Sequence, residues 1–268
     1  MNRNEILIEA DELLKKFGDP NIRIFDATIT DDGYLQGHIP GAAFFEHEDF
    51  SAPESQNRYT NILPADKLAG QIGALGISNE TEVIVYACGM LPYAVRAWWL
   101  LRYAGHDKVR ILNGGLSAWK QAGGQIEDEA RQYPSAIFQP QLREWMYANK
   151  EEVIEALKSS EVAVVNVMPR ESYDGRHIKG SISLSSMDLM QHLDAFLSDD
   201  QIATRLQEVT HNKRIITYCG GGIAAAVNAT AHLMTGYENV AVYHGSMFEW
   251  LAEDLPTVGT GKWEIWKK

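Results

Sequence analysis

The sequence predicts an α/β protein made of two tandem copies of one unit, each a mostly parallel sheet with helices on both faces. The first observation is a long-period repeat: four pairs of segments recur in the same order, from 131 (Asn113 to His244) to 140 (Ile22 to Val162) positions apart. The second is that, within each copy, apolar runs of strand length alternate with helix-like stretches, the pattern of parallel strands joined by helical crossovers.

The elements follow in chain order. Ile22 to Ala27 reads as a strand and pairs with Val162 to Val167. Gly37-His-Ile-Pro-Gly-Ala recurs as Arg176-His-Ile-Lys-Gly-Ser. Val83 to Tyr86, a second strand, answers Ile215 to Tyr218. Leu91 to Tyr103 has helical periodicity, and Asn113-Gly-Gly-Leu-Ser-Ala-Trp answers His244-Gly-Ser-Met-Phe-Glu-Trp. Gly123 and Gly124 close the first copy. The polar, proline-containing stretch from Gln125 to Gln141 lacks periodicity and reads as the connection. The expected division is therefore 1–124, a linker over 125–143, and 144–268. In the second copy Val153 to Ser159 and Ala224 to Met234 read as helices, and Val240 to Tyr243 as a strand. Trp263 and Trp266 in the tail are expected to pack on the body.

Composition narrows the function classes. The chain has 268 residues, 45% hydrophobic and 22% charged, enough for a well-buried core. No apolar run reaches membrane-span length, and the amino-terminal residues lack the apolar stretch of a secretory signal, so a cytoplasmic protein with no membrane partner is expected. Two cysteines make no disulfide framework, and metal-ligand spacings such as Cys-x-x-Cys are absent from the sequence. A net charge of −12 makes nucleic acid an unsuitable partner. An anionic substrate must be drawn in by local dipoles and a few cations.

Cys219 carries the chemistry. It lies between the strand ending at Tyr218 and the helix pattern beginning at Ala224, and is followed by Gly220, Gly221 and Gly222. Glycines let backbone N–H groups turn inward, and a helix N-terminus adds roughly half a positive charge, so the turn suits a thiolate or an anion. Gly221 is expected to need an unusual backbone conformation. A structural cysteine beside packing glycines is the bland alternative.

These segments together resemble the tandem rhodanese-type sulfurtransferases, the thiosulfate and 3-mercaptopyruvate sulfurtransferase family. The resemblance rests on Asp26, Gly37-His-Ile-Pro-Gly, Arg96-Ala-Trp-Trp, Gly114-Gly-Leu-Ser-Ala-Trp, Cys219 with its loop, and Gly245-Ser-Met-Phe-Glu-Trp. It implies two rhodanese-like domains, the first non-catalytic and the second holding Cys219. It also implies transfer of a sulfane sulfur from a small anionic donor, through a Cys219 persulfide, to a thiol or cyanide acceptor, a thioredoxin-like protein among the candidates. Gly220, Gly221, Gly222, Ile223, Ala224 and Ala225 then form the anion-stabilising cradle, and no metal or organic cofactor is required. Cys88 sits in a similar turn, but alignment on Tyr86 and Tyr218 places Ala87 opposite Cys219 and Pro92 removes an N–H from any cradle, so Cys88 is expected to be structural, with a redox or sulfur-relay role as the alternative.

The chain departs from the family pattern at three places. Asn166-Val-Met168 stands where Asp-x-Arg is usual, so the anion-binding arginine is missing, and Arg170, Arg176 or Lys179 is expected to replace it. Gly220-Gly221 is neutral where thiosulfate enzymes carry basic residues, and is nearer the Gly-Ser of mercaptopyruvate enzymes. His244 replaces an aspartate and, if close to Cys219, could tune its ionisation.

Three rival readings remain to be weighed. A cysteine phosphatase needs an arginine where Ala225 stands. A dinucleotide site fits Gly220-Gly-Gly-Ile-Ala-Ala225, but Glu238 precedes the next strand rather than closing it. A rhodanese-like binding or regulatory protein without turnover is compatible with Asn166, Met168 and His244, though not with the need for a thiol at the turn.

Overall fold

The computed structural model describes residues 1–52 and 61–262. Trp263 and Trp266 lie outside the described residues.

The first half contains strands β1 (Leu7–Ile8), β2 (Ile22–Asp26), β3 (Ala43–Phe44), β4 (Glu82–Tyr86) and β5 (Val109–Leu112), in the spatial order β1-β5-β4-β2-β3. Every neighbouring pair is parallel. Its helices are α1 (Arg3–Ile6), α2 (Ala10–Lys16), α3 (Asp31–Gln36), α4 (Ala65–Ala74), α5 (Leu91–Tyr103) and α6 (Gly115–Gln121). The second half repeats the plan with β6 (Tyr147–Ala148), β7 (Val162–Asn166), β8 (Arg176–Ile178), β9 (Ile182–Ser183), β10 (Met190–Gln191), β11 (Ala195–Phe196), β12 (Arg214–Tyr218), β13 (Val240–Tyr243) and β14 (Thr257–Gly259). Its main sheet, β6-β13-β12-β7-β9, is again wholly parallel. β10 and β11 form a hairpin, and β8 pairs antiparallel with β14. The helices are α7 (Lys150–Ala156), α8 (Arg170–Gly175), α9 (Asp199–Leu206), α10 (Ala225–Met234) and α11 (Ser246–Ala252). Asp26 lies opposite Tyr86 in one sheet and Asn166 opposite Tyr218 in the other, so register as well as order repeats.

Side chains alternate along each strand, and the two faces enter different cores. Phe25, Val83, Val85 and Ile111 face one cluster, whereas Ile24, Ile84, Tyr86 and Leu112 meet Leu13, Leu116 and Trp119 on the other. In the second sheet Val165, Ile215, Val240 and Val242 join the same cluster as Phe25, and Val164, Ile216, Tyr218 and Tyr243 pack against Met247 and Trp250. One apolar core therefore runs through both halves, with α5 against α10. Burying a Leu or Val in it contributes roughly 1.5–3 kcal/mol, more than an exposed ion pair supplies.

Helix α5 takes Pro92 in its first turn, where the missing N–H costs nothing, and is followed at Gly105 by a left-handed residue (φ 99°). Helix α7 starts three residues earlier than its apolar periodicity predicts. The cause is Asn149, whose side chain accepts from the Glu152 N–H at 2.8 Å and caps the helix. The irregular 125–143 connection is tied to the first half by Ala136 N–H to Gly73 O (2.8 Å) and Gln141 N–H to Ala104 O (2.9 Å). Among the described residues, no helix is long and apolar enough to cross a membrane.

Candidate active site

Strand β12 is the middle of its sheet, flanked by β7 and β13, so the residue after it emerges at the centre of the carboxyl edge. That residue is Cys219. The Thr217 hydroxyl donates to Ala225 O at 2.9 Å and ties the strand to the start of α10. From the other side the beginning of α11 clamps the turn. Cys219 N–H donates to Ser246 Oγ (3.1 Å), while Met247 N–H and Phe248 N–H donate to the carbonyls of Cys219 and Gly220 (both 3.1 Å). Ser246 adopts a left-handed conformation (φ 50°), uncommon for a residue with a side chain, and its hydroxyl donates to Tyr243 O at 2.8 Å. The same hydroxyl lies 3.9 Å from Cys219 Sγ.

One N–H of the turn meets the thiol directly. Gly222 N–H donates to Cys219 Sγ at 3.1 Å, and it is Gly222 (φ 77°), not Gly221, that occupies the left-handed region. Among the described residues, the N–H groups of Gly220, Gly221, Ile223 and Ala224 meet no acceptor. Cys219 itself is 2% exposed and borders a cavity of about 130 Å³. Gly220, Gly221, Ile223, Ala224 and Met168 line it from the second half, and Met90, Pro92 and Tyr93 from the first. A larger cavity of about 440 Å³, lined by Tyr34, Phe44 and Arg131 among others, has no cysteine in its wall. Chemistry, not size, selects the smaller one.

Neither Arg170 nor Arg176 lines that cavity. Arg170 is on the surface, where its Nε donates to Asp174 at 2.9 Å, and Arg176 Nε donates to Thr257 Oγ1 at 3.1 Å beside the β8–β14 pair. The expectation that one of them replaces the missing arginine is corrected accordingly, and Lys179 does not line the cavity either. Met168 occupies the wall where the family pattern would put the cation. His244 is fully buried, and desolvation together with the nearby Arg96 guanidinium holds its imidazole well below the usual histidine range. It is neutral, stacked on Tyr147 with centroids 5.7 Å apart, and does not serve as a charged neighbour of the thiol.

Sequence reasoning assigned no role to Arg96 and Ser246. Arg96 Nη1 donates to Gly222 O and faces His244 Nδ1, each at 3.3 Å, reaching from the first half into the second. Its signal was a cation in a helix otherwise carrying Trp98, Trp99, Leu100 and Leu101. Cys88 is exposed, and its N–H donates to Thr28 Oγ1 at 3.0 Å.

Comparison with known proteins bears on this geometry. A sequence model of the rhodanese-like domain matches residues 9–122 and 149–253. The chain is 31% identical to thiosulfate sulfurtransferase of Bos taurus over 261 residues, covering 88% of this chain and 87% of that protein. It is 32% identical to 3-mercaptopyruvate sulfurtransferase of Escherichia coli (strain K12) over 272 residues, covering 93% and 96%. The crystal structure of SseA, a 3-mercaptopyruvate sulfotransferase from Escherichia coli, superposes with a TM-score of 0.83 at 28% identity, over 92% of this chain and 99% of that one. The anaerobic ergothioneine biosynthesis enzyme from Chlorobium limicola shares the fold, with a TM-score of 0.86 at 23% identity over 97% of this chain and 71% of that one.

Proposed function

The chain belongs to the rhodanese-like family and is a sulfurtransferase, and we propose that its turnover runs through a persulfide on Cys219 with 3-mercaptopyruvate as the preferred donor. The observation that carries this is Cys219 lining a cavity, its Sγ accepting the Gly222 N–H at 3.1 Å just ahead of α10. The Cys219 thiolate attacks the donor sulfur. With 3-mercaptopyruvate the carbon–sulfur bond breaks, its electron pair leaves on the enolate, and protonation gives pyruvate. With thiosulfate the sulfur–sulfur bond breaks and sulfite leaves. The anionic persulfide rests against the backbone N–H groups from Gly220 to Ala225, and an acceptor thiolate or cyanide then attacks the outer sulfur and restores the Cys219 thiolate.

Among the described residues, no cationic side chain lines the cavity. A monoanionic carboxylate donor is easier to desolvate there than the thiosulfate dianion, because the cost of desolvation rises steeply with charge. A small thiol or an exposed protein dithiol of the thioredoxin type fits as acceptor. The chemistry needs a reduced thiol, and both cysteines are free, which favours the cytoplasm. We divide the chain at 124 and 144, assigning Cys219 to the second unit.

Intact-mass measurement after mixing with each donor tests the reading: one added sulfur on Cys219 is expected, and no adduct with either donor would leave only the binding-protein alternative. The donor choice is tested by parallel steady-state rates. 3-Mercaptopyruvate is expected to give the higher kcat/KM, and Met168→Arg is expected to raise kcat/KM for thiosulfate by about tenfold by restoring a guanidinium in the wall.

A further inference from the structure

The Gly222 peptide is held from a distance. Arg96 belongs to α5 of the first half, is fully buried, and lies on a helix packed against α10. A guanidinium keeps its charge at every pH a protein experiences, so burying one is costly unless it serves as a donor. Its Nη1 donates to Gly222 O at 3.3 Å, 126 residues away in sequence, and lies 3.3 Å from His244 Nδ1. Arginine only donates, so His244 Nδ1 must be the accepting nitrogen and the imidazole proton sits on Nε2. The neutral state of His244 permits this arrangement, and Tyr147 stacks on the ring to fix its plane.

The repeat shows that this link is not a requirement of the fold. With the 132-residue offset that aligns Tyr86 with Tyr218, Arg96 corresponds to Asn228 on α10. Asn228 donates to Leu184 O, inside its own half, at 2.8 Å. Only in the Arg96 direction does the side chain cross to the other half's active turn.

The consequence concerns two peptide units. The carbonyl and N–H of one trans peptide point in opposite directions. Anchoring Gly222 O on Arg96 therefore turns the Ile223 N–H away from the guanidinium, and among the described residues that N–H meets no acceptor. The anchor also fixes Gly222 in its left-handed conformation (φ 77°), which aims its own N–H at Sγ. A run of three glycines would otherwise reorient its peptides easily, because glycine has the widest conformational range.

Building on the reading of Cys219 as sulfur carrier, we infer that Arg96 is a positioning residue for the sulfur-transfer step: it locks the Gly222–Ile223 peptide so that the cradle N–H groups face the sulfur. It does not touch the donor, and it places a residue that shapes the Cys219 turn in the other half of the chain.

The test uses the full-length protein with Arg96→Met, which keeps the bulk and removes the donors, and Arg96→Lys, which keeps a single cationic donor. Three quantities are read: thermal midpoint, the rate of Cys219 carboxamidomethylation by iodoacetamide at fixed pH, and kcat and KM with 3-mercaptopyruvate. For a folded Arg96→Met, both the alkylation rate and kcat are expected to fall about tenfold or more with KM changed less, because the loss falls on charge stabilisation rather than on donor binding. Arg96→Lys is expected to bring kcat to within about fivefold of the starting enzyme. A folded Arg96→Met with unchanged alkylation and kcat, or a lysine variant as poor as the methionine one, would overturn the inference. Should Arg96→Met fail to fold, the lysine variant decides. A two- to fivefold lower kcat at constant KM is expected from one donor in place of a fork, and an unaltered kcat, or a loss confined to KM, overturns it. If the unmodified protein takes up no sulfur from either donor, the persulfide reading fails by itself, while the alkylation comparison still tests Arg96.

Discussion

At the ends of β4 and β12 the two halves carry the same turn, but the hydrogen-bond donors around it are met differently. In the first half Leu91 N–H donates to Leu193 O (2.8 Å) and Gly114 N–H donates to Asp194 O (3.0 Å), so the β10–β11 hairpin of the second half fills the place. His192 (φ 52°) and Leu193 (φ 66°) take left-handed conformations to do so, each a cost of about 1–3 kcal/mol that the surrounding contacts must offset. In the second half Ile223, the counterpart of Leu91, keeps its N–H without an acceptor among the described residues. Gly115 (φ 52°) corresponds to Ser246 (φ 50°). A Cβ at Gly115 would run into Ala87 O, whereas Ser246 turns its hydroxyl to the Cys219 N–H. The scaffold is the same in both halves, and the hairpin contacts, the Ser246 hydroxyl and a one-residue shift of the thiol distinguish the two turns.

The strongest way to break this contrast is to exchange the thiols for hydroxyls. Cys219→Ser is expected to lower sulfur transfer by at least about a thousandfold, since the nucleophile is lost, and Cys88→Ser to leave most of it. Comparable losses in steady-state assays would mean that the halves share the chemistry. Next in size is the left-handed glycine. Gly222→Val is expected to cost about tenfold or more in kcat by forcing φ out of its region, while Gly89→Ala in the first half (φ 70°, with nothing within 4 Å of an added Cβ) costs stability but little kcat. Ser246→Gly makes the second turn resemble the first. Relief of strain and loss of the hydroxyl oppose each other, so chemical denaturation is expected to show a change of only about 1 kcal/mol, with kcat lowered severalfold; an unaltered kcat would remove the hydroxyl from the comparison.

The smallest expected difference between the halves comes with pH, to which both respond alike. Burial lowers His47 to about 3 and His106 to about 4 in the first half, and His232 to about 4 and His244 well below 6.5 in the second. Below pH 6.5 the unfolded chain binds protons that the folded chain refuses, so stability falls with pH from 6.5 towards about 4. Each such histidine contributes about 1.4 kcal/mol per pH unit within its window. Asp26, raised by burial, opposes this at the acid end. Urea midpoints at pH 7, 5.5 and 4.5 should drop together for both halves, and a flat profile would show the histidines to be solvated.

Much of this arrangement is legible in the sequence because it is local. The strand, thiol, glycines and helix of the active turn are consecutive, and the repeat exposes the second sheet once the first is read. Strand register alone places Cys88 one residue beyond the position that matches Cys219. What escaped depends on direction through space. Whether Arg170 or Arg176 meets the cavity is set by which way one turn of chain projects, and each found a nearby oxygen instead. Arg96 could be quoted as part of a motif, but nothing in its neighbours reveals that its partner lies across the interface. Among three adjacent glycines, composition does not say which one bends.

Met90, Pro92 and Tyr93 form part of the wall around Cys219, although they belong to the other half of the chain. Mutations there can alter which donors enter without touching the sulfur chemistry itself. The first half thus gives selection a place to reshape the cavity while the Cys219 turn stays constant, and a screen for new donors would do well to randomise those three positions first.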